Sequence, residues 1–212
     1  MIIVGQGEHD QRLELLASTD LPFVVWGTEI HKKSYTTIGS DNRKGGFLAV
    51  QHLLQQGCKR IAFLGDVNHN EVEQRWLGYQ DALKAASLPI DHGLQIKADF
   101  TSNDGYSKLR DHLLIEDQSF DGIFAVSDAI ALGASKYLFE QNIDVPNNIA
   151  IIGFDDIAMS EFCSPSLSTI RQNTAAGGRL LVKILLKKIN NQPVKSQLLD
   201  VEVIQRQSSS RR

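Results

Sequence analysis

Short runs of β-branched and aromatic residues alternate along the chain with longer stretches of helical periodicity. Each apolar run ends near a Gly, Asp or Ser, residue types that commonly bound strands. The pattern predicts strands over residues 2–4, 23–26, 60–64, 93–98, 122–126, 149–153 and 198–205.

The stretches between these runs predict amphipathic helices. Over residues 42–56, Phe47 and Val50 recur at helical spacing. Asp41 precedes this stretch as a cap and Gly57 follows it, as is typical of helix ends. Strands that alternate with helices form βαβ units, so the sequence predicts an α/β fold with parallel sheets. The other predicted helices cover residues 71–86, 104–115, 128–141 and 174–190.

Composition adds a size limit and an electrostatic one. With 212 residues, 42% of them hydrophobic and 22% charged, the chain can bury the core of one large or two small α/β domains. The net charge of −3 and the pI near 6.1 argue against binding to a phosphate backbone, which needs a concentrated basic surface. Any contact with DNA is therefore expected to be made by residues outside this chain.

The sequence predicts no membrane segment, disulfide, cofactor or metal site. The longest apolar runs, residues 149–154 and 180–186, are too short to span a bilayer, and no secretion signal opens the chain, so a cytoplasmic location is expected. Cys58 and Cys163 lie far apart and are expected to be free thiols. Metal-ligand spacing is absent around His9, His31, His52, His92 and His112.

Candidate binding residues follow the predicted strands. In an open parallel sheet, ligands bind beyond the carboxyl ends of the strands, so the residues directly after each strand are the ones to consider. The side chains at these positions, or on the helix behind them, are Trp26, Asp66, His69, Arg75, Phe100, Ser127, Asp128, Phe154, Asp155 and Asp156.

Four of these residues have the chemistry that a sugar-like ligand requires. A carboxylate and a guanidinium, here Asp155 and Arg75, can each bind adjacent hydroxyls with two hydrogen bonds. An aromatic ring such as Phe100 or Trp26 can cover the apolar C–H face of the ligand. Both rings could instead be ordinary core aromatics; Phe100 is favoured as a ligand contact, whereas Trp26 fits either interpretation.

Arg75 and Asp128 also have structural explanations. Arg75 could pair with Glu71 or Glu73 on an exposed helix face, but the aromatic residues beside it favour a covered position and hence the pocket. Asp128 is better explained as the cap of the helix that begins there, because a carboxylate satisfies the free N–H groups of a helix start. It is kept as a weaker ligand candidate.

Five ordered segments resemble the effector-binding core of the lactose/galactose repressor family. Residues 41–65 match the pattern DN..G...A..HL...G..RIAFLG. The other four are QRWLGY at 74–79 with Ala82-Leu83, AVSDAIALGA at 125–134, VP and IAIIGFDD within 145–156, and LSTIRQ at 167–172.

This resemblance implies two doubly wound parallel-sheet lobes of periplasmic-binding-protein type, with a ligand between them and a side-by-side homodimer. It assigns residues 1–40 and 168–192 to an N-terminal lobe, 41–167 and 193–207 to a C-terminal lobe, and 208–212 to a disordered tail. Relative to the family, the helix-turn-helix head and about two strand-helix units are expected to be absent, which leaves the N-terminal lobe incomplete.

The resemblance also implies hinges and pocket residues. Crossovers between the lobes are expected near Ser40, Leu167 and Pro193. In the family, the positions equivalent to Arg75, Phe100, Ser127 and Asp155 line the effector pocket, and His69 lies in a loop that varies among members. Gly27 stands where some members carry an acidic residue that helps to bind sugar.

The leading functional hypothesis is the ligand-sensing domain of a repressor-type transcription regulator, with a sugar-like effector, a homodimeric partner and DNA contacts made through a domain absent from this chain. One alternative is a periplasmic sugar-binding protein, which shares the two-lobed architecture. An enzyme acting on nucleotides or sugar phosphates is the least supported, because no GxSxG, GxxxxGK[ST] or complete GxGxxG motif is present.

Overall fold

Two separate β-sheets organise the protein, whose computed structural model describes residues 1–6, 10–29, 33–115 and 119–211. No helix in these ranges is long and apolar enough to cross a lipid bilayer. The strands are β1 Ile2–Val4, β2 Val24–Trp26, β3 Thr37–Ser40, β4 Ile61–Leu64, β5 Gln95–Ile96, β6 Gly122–Ala125, β7 Ala150–Asp155, β8 Ser168–Gln172, β9 Gln197–Leu199 and β10 Val201–Ile204. The helices are α1 Asp10–Ala17, α2 Asn42–Gln55, α3 Asn70–Ala85, α4 Ser102–Ile115, α5 Asp128–Glu140, α6 Met159–Phe162 and α7 Thr174–Ile189.

The first sheet has the strand order β1-β2-β3-β9 and is parallel throughout. The second has the order β10-β8-β7-β6-β4-β5 and is parallel except for its edge strand β10, which runs antiparallel to β8. We call the first sheet with α1 and α7 the N-terminal lobe, and the second sheet with α2 to α6 the C-terminal lobe. The predicted α/β fold with two parallel-sheet lobes is confirmed.

Most predicted strands are present within a residue or two of their expected ends. The strand predicted over 93–98 is only Gln95–Ile96, because residues His92–Leu94 form a turn of 3-10 helix. Neither β3 nor β8 was predicted, since both contain small and hydroxyl side chains instead of a continuous apolar run. Helix α1 was also missed.

The single strand predicted over 198–205 is wrong, because the chain changes sheets within it. Strand β9 pairs with β3 in the first sheet, and β10 pairs with β8 in the second. Only Asp200 separates the two strands. The crossover expected near Pro193 therefore lies at Asp200.

The predicted division of the chain into lobes needs a second correction. Residues 168–172 were assigned to the N-terminal lobe, but they form β8, which pairs with β7 in the second sheet. The crossover expected near Leu167 therefore falls after Gln172, where α7 begins to pack against β1, β2 and β3. At Ser40, where a crossover is also expected, β3 ends and α2 starts two residues later.

The two lobes bury very different amounts of apolar surface. In the C-terminal lobe, one continuous core surrounds β4, β6 and β7 and includes the fully buried Phe63, Phe124 and Phe154. The N-terminal lobe has two small clusters on opposite faces of its sheet, because successive side chains of a strand point to opposite sides. Val25 packs with α1, and Val24 packs with α7.

Helices α2 and α3 cross at very close range. A Cβ atom at Gly46 would collide with the carbonyl oxygen of Arg75, and one at Gly78 would collide with the carbonyl oxygen of Arg43. Only glycine permits backbones to approach this closely. The crossing carries Arg75 on α3 toward the start of α2 and the ends of the second-sheet strands.

The C-terminal residues are fixed in the structure, so the prediction of a disordered tail over 208–212 is wrong for 208–211; Arg212 lies outside the described residues. Ser208 and Ser209 are fully buried. The Ser208 hydroxyl donates to the Ile151 carbonyl (2.7 Å), and the Ser209 hydroxyl donates to Ser168 Oγ (2.6 Å). Paired serines can be buried at little cost, so a polar composition does not by itself indicate disorder.

Candidate ligand-binding cleft

A cavity of about 370 Å³ lies where the carboxyl ends of strands from both sheets face each other. The first sheet contributes residues that end or follow β1, β2 and β3, and the second contributes residues from α2, α3, β8 and the loop after β5. The volume suits a small ligand of the size that pre-formed pockets hold. The lining residues are Gly5, Gln6, Trp26, Gly27, Gly39, Ser40, Asn42, His69, Glu71, Arg75, Phe100 and Gln172.

Arg75 forms the base of the cleft and is buried, with 5% of its surface exposed. Its Nε donates to Asn42 Oδ1 (2.8 Å), and its Nη1 donates to the carbonyl oxygen of Val126. The guanidinium carbon lies 3.6 Å from the centre of the Phe154 ring, a stacked cation–π contact. The alternative of an Arg75 ion pair on an exposed helix face is therefore wrong.

Burial lowers the pKa of Arg75, and the carboxylates of Asp155, Glu71 and Asp128 act in the opposite direction. The guanidinium stays charged at physiological pH, since its ordinary pKa is far above neutrality. A fixed positive charge at the base of the cleft can orient hydroxyl or other electron-rich groups of a ligand.

Asp155 does not line the cavity but hydrogen-bonds to a residue that does, Gln172. Its Oδ1 accepts a hydrogen bond of 2.6 Å from Gln172 Nε2, and Gln172 Oε1 in turn accepts one of 2.7 Å from the Ser40 hydroxyl. Ser40 and Gln172 line the cavity, whereas Asp155 is not among the lining residues. This chain of hydrogen bonds joins the end of β3 in one sheet to the ends of β8 and β7 in the other.

The environment of Asp155 is unusual in charge and in backbone shape. Burial raises its pKa to about 6; Arg75 opposes this shift and Asp128 adds to it. Its backbone φ is 122°, a value that L-amino acids rarely adopt and that costs about 1–3 kcal/mol. Backbone strain of this kind is typical of functional sites, where it holds a side chain in a particular position.

Ser127 and Asp128 do not reach the cavity lining. The Ser127 hydroxyl caps α5 by accepting from the Ile130 backbone N–H (3.3 Å), so Ser127, and not Asp128 as expected, is the cap. Asp128 is buried and accepts from the hydroxyls of Ser160 and Thr169, both at 2.6 Å. It ties α5 to β8 and to the segment after β7.

Aromatic rings flank the cavity on both sides. Phe100, from the C-terminal lobe, is 44% exposed, so it is not a core aromatic, and its ring centre lies 5.2 Å from that of His69. Trp26, from the N-terminal lobe, is half-buried and packs against Gly177 of α7 while also lining the cavity. The structure thus brings Trp26, His69, Arg75 and Phe100 to one cavity.

Several polar lining residues were missed by the sequence analysis. Gln6 is buried and held by three hydrogen bonds, to the backbone N–H and C=O of Thr28 and to the Tyr35 hydroxyl. Gln6 follows β1, so the rule that selects residues after parallel strands could have found it. Gln172 ends β8, a strand that the apolar pattern did not predict.

One group beside the cleft has the composition of a metal site. Asp66, His69 and Asp99 each present one ligand atom, and these atoms lie within 4.8 Å of one another. His9 and His31, which the sequence analysis set aside as metal ligands, lie outside the described residues.

These features define a class of protein: two-lobed α/β domains with a polar cavity between facing strand ends. The chain matches the family described as "Periplasmic binding protein-like domain" over residues 50–209. It belongs to that family, in the form found in the effector-binding cores of LacI-family transcriptional regulators.

Individual relatives agree with this assignment. The transcriptional repressor PurR of Haemophilus influenzae is 34% identical over 195 residues, which cover 90% of this chain and 57% of the relative. The chain thus spans a little more than half the length of that repressor.

Solved structures of LacI-family or related regulators share the fold. A LacI-family regulator from Enterococcus faecium with bound ribose is 29% identical, with a TM-score of 0.85, and the match covers 99% of this chain and 78% of the other. A complex of the regulator CelR with cellobiose is 27% identical, with a TM-score of 0.90, and the match covers 98% of this chain and 64% of the other.

Proposed function

We propose that this chain is the effector-sensing core of a repressor-type transcription regulator and that its cleft binds a small sugar-like molecule. The observation that carries the proposal is the convergence of polar and aromatic side chains from both sheets on one cavity. Two related regulators hold ribose and cellobiose, ligands of the same chemical class.

Four of the predicted side chains are proposed to contact the ligand directly. Arg75 donates hydrogen bonds to ligand oxygens, His69 adds a polar ring nitrogen, and Phe100 and Trp26 cover the apolar faces. The other three predicted residues do not contact the ligand and act through their neighbours. Asp155 orients Gln172, Ser127 fixes the start of α5, and Asp128 ties that helix to the neighbouring strand.

A ligand that contacts both lobes changes the balance between their relative arrangements, provided that it binds one arrangement more tightly. The chain crosses between the sheets at Ser40, after Gln172 and at Asp200, so these positions are the proposed hinges. The angle between the two lobes then determines the arrangement of a DNA-binding domain outside these residues. On this proposal the protein works in the cytoplasm and is not an enzyme.

A homodimer is part of the proposal. The exposed apolar side chains of Ile157, Met159 and Phe162 occur close together in sequence in and before α6, and Phe162 is 79% exposed. Exposed apolar groups of this kind are common where a second subunit packs. The matched regulators favour this function over a periplasmic binding protein or an enzyme.

Isothermal titration against a sugar panel that includes ribose and cellobiose tests the function. We expect one sugar to bind, and Phe100→Ala to weaken that binding by about ten-fold through lost ring contact. Arg75→Ala and Asp155→Ala should weaken it further, with their folding checked by circular dichroism. Phe139→Ala, at a residue that is 78% exposed and outside the cavity lining, is the matched control. A sugar that binds all these variants equally would show that the cleft is assigned to the wrong place.

A further inference from the structure

Three potential metal ligands meet at the rim of the C-terminal lobe. Asp66 follows β4 and Asp99 follows β5, and these strands are parallel neighbours with Leu64 opposite Ile96. His69 immediately precedes α3. The pairing of the strands therefore brings together side chains that are more than thirty residues apart in sequence.

The distances fit a single ion after small side-chain rotations. The imidazole nitrogen and the two carboxylate oxygens lie within 4.8 Å of one another. Zinc binds histidine nitrogen and carboxylate oxygen at about 2.0–2.2 Å in a tetrahedral arrangement, so two of its ligand atoms are about 3.4 Å apart. One nitrogen and two oxygens form a ligand set suited to a first-row transition metal.

His69 is available for this role. It makes no side-chain bond to the helix that follows it. Within the described part of the chain, its ring contacts Phe100 but neither ring nitrogen has a protein hydrogen-bond partner. An imidazole held by a ring contact, with both nitrogens free, can bind a metal without losing an existing hydrogen bond.

Asp66 is already arranged around a positive charge. It is buried, its Oδ1 accepts from the Asn68 backbone N–H (3.1 Å), and its Oδ2 lies 3.2 Å from Lys97 Nζ. The Lys97 side chain is 69% exposed, so it can move into solvent when a stronger cation arrives.

We propose that Asp66, His69 and Asp99 form a site for a divalent transition metal ion such as Zn²⁺, with the Lys97 ammonium taking the place of the ion when it is absent. Three protein ligands leave at least one coordination position for water or a ligand oxygen. His69 and Phe100 line the cleft, so the ion lies at its edge. The proposal does not depend on the identity of the effector.

Titration of the intact chain with ZnCl₂ in the absence of sugar tests the site, with circular dichroism to check folding. We expect one ion per chain. His69→Ala and Asp99→Asn each remove a ligand from an exposed or half-exposed position and should weaken binding at least ten-fold. Lys97→Met removes the competing charge and should tighten binding roughly five-fold. A variant that merely lost structure would not bind more tightly.

His92→Ala is the matched control, because His92 is an exposed histidine of the same lobe outside the cluster. CaCl₂ is the matched ion, because calcium requires six or more oxygen ligands and should bind far more weakly. The proposal is overturned by the absence of zinc binding. It is equally overturned by zinc affinity that is the same in wild type, His69→Ala and Lys97→Met, or by loss of binding in His92→Ala.

Discussion

Each lobe forms one wall of the cleft, and the two walls differ in the size of the sheet and of the apolar core behind them. The C-terminal wall rests on a six-stranded sheet and a single large core, and its Arg75 is buried between Asn42 and Phe154. The N-terminal wall rests on four strands and two small clusters, and its edge strand β1 leaves Val4 79% exposed. Local stability follows buried apolar contact, so the first wall is expected to be rigid and the second to open at lower free energy.

This difference suggests how binding could be signalled. A ligand gains orientation from the rigid wall, while the less stable wall can change its position at modest cost. Gln172 contacts both walls, since it accepts from Ser40 and donates to Asp155. Variants that weaken one wall and not the other test this difference in stability.

The largest expected effect is on the core of the C-terminal lobe. Phe63 is fully buried and packs edge-on against Trp76, Tyr79 and Phe124. Phe63→Ala should lower the free energy of unfolding by about 3–5 kcal/mol, because it leaves a cavity in a tightly packed core. Urea denaturation followed by circular dichroism measures this loss.

Phe23→Ala is the matched change in the N-terminal lobe. Phe23 is also buried, but its cluster has few members and can collapse around the gap. We expect a smaller loss of about 1–3 kcal/mol. If the two variants lost equal free energy, the lobes would not differ in the way proposed.

The crossing of α2 and α3 is the next test. In Gly78→Ala, the new methyl group would collide with the Arg43 carbonyl and push the helices apart, at a cost of about 2–3 kcal/mol. Gly178→Ala, within α7 of the N-terminal lobe, places its methyl group in open space and should stabilise the protein by up to about 1 kcal/mol. Thermal unfolding of both variants should show opposite shifts; destabilisation by both would argue against an open site at Gly178.

The last prediction is a pH dependence of stability. The folded protein holds the pKa of Asp155 near 6, above the unfolded value of about 4, so between these pH values the folded state binds the extra proton. The contribution of Asp155 to stability is therefore lost as pH rises from about 4 to about 6. In Asp155→Asn this dependence should vanish, so the stability of the variant relative to wild type should rise by about 2 kcal/mol over that window.

Urea denaturation at pH 4, 5, 6 and 7 measures this difference. Asp156→Asn is the comparison variant, because the pKa of Asp156 is shifted in the opposite direction to that of Asp155. Burial alone would raise the pKa of Asp156, but Arg171 and Arg206 hold it below its ordinary value. A constant difference between wild type and Asp155→Asn across the series would contradict a raised pKa at Asp155.

Sequence patterns predicted the strands of the large core well. Parallel strands that are buried on both faces are continuous apolar runs, and β4, β6 and β7 have that form. Strands β3 and β8 do not, because hydrogen bonding to neighbouring strands, and not side-chain hydrophobicity, determines where they lie. The split at Asp200 likewise depends on which strands β9 and β10 find as partners.

The candidate site was predicted only in part, because the apolar pattern identifies strand ends but not the contacts that form on folding. Residues at or beyond the ends of apolar strands, such as Trp26 and His69, were identified and do line the cavity. Contacts that depend on folding were not visible, among them the link from Gln172 to Asp155 and the meeting of Asp66 with Asp99. The strand-end rule selects the correct edge of each sheet but cannot say which of two adjacent side chains faces the ligand.

The most direct test of a cleft shared by both lobes uses the two tryptophans. Trp26 lines the cavity, whereas Trp76 is buried in the C-terminal core. In Trp76→Phe, the emission of the remaining Trp26 should change in step with binding of the sugar found by calorimetry, and in Trp26→Phe the emission of Trp76 should not. Sugar binding that leaves the Trp26 emission unchanged would contradict the account.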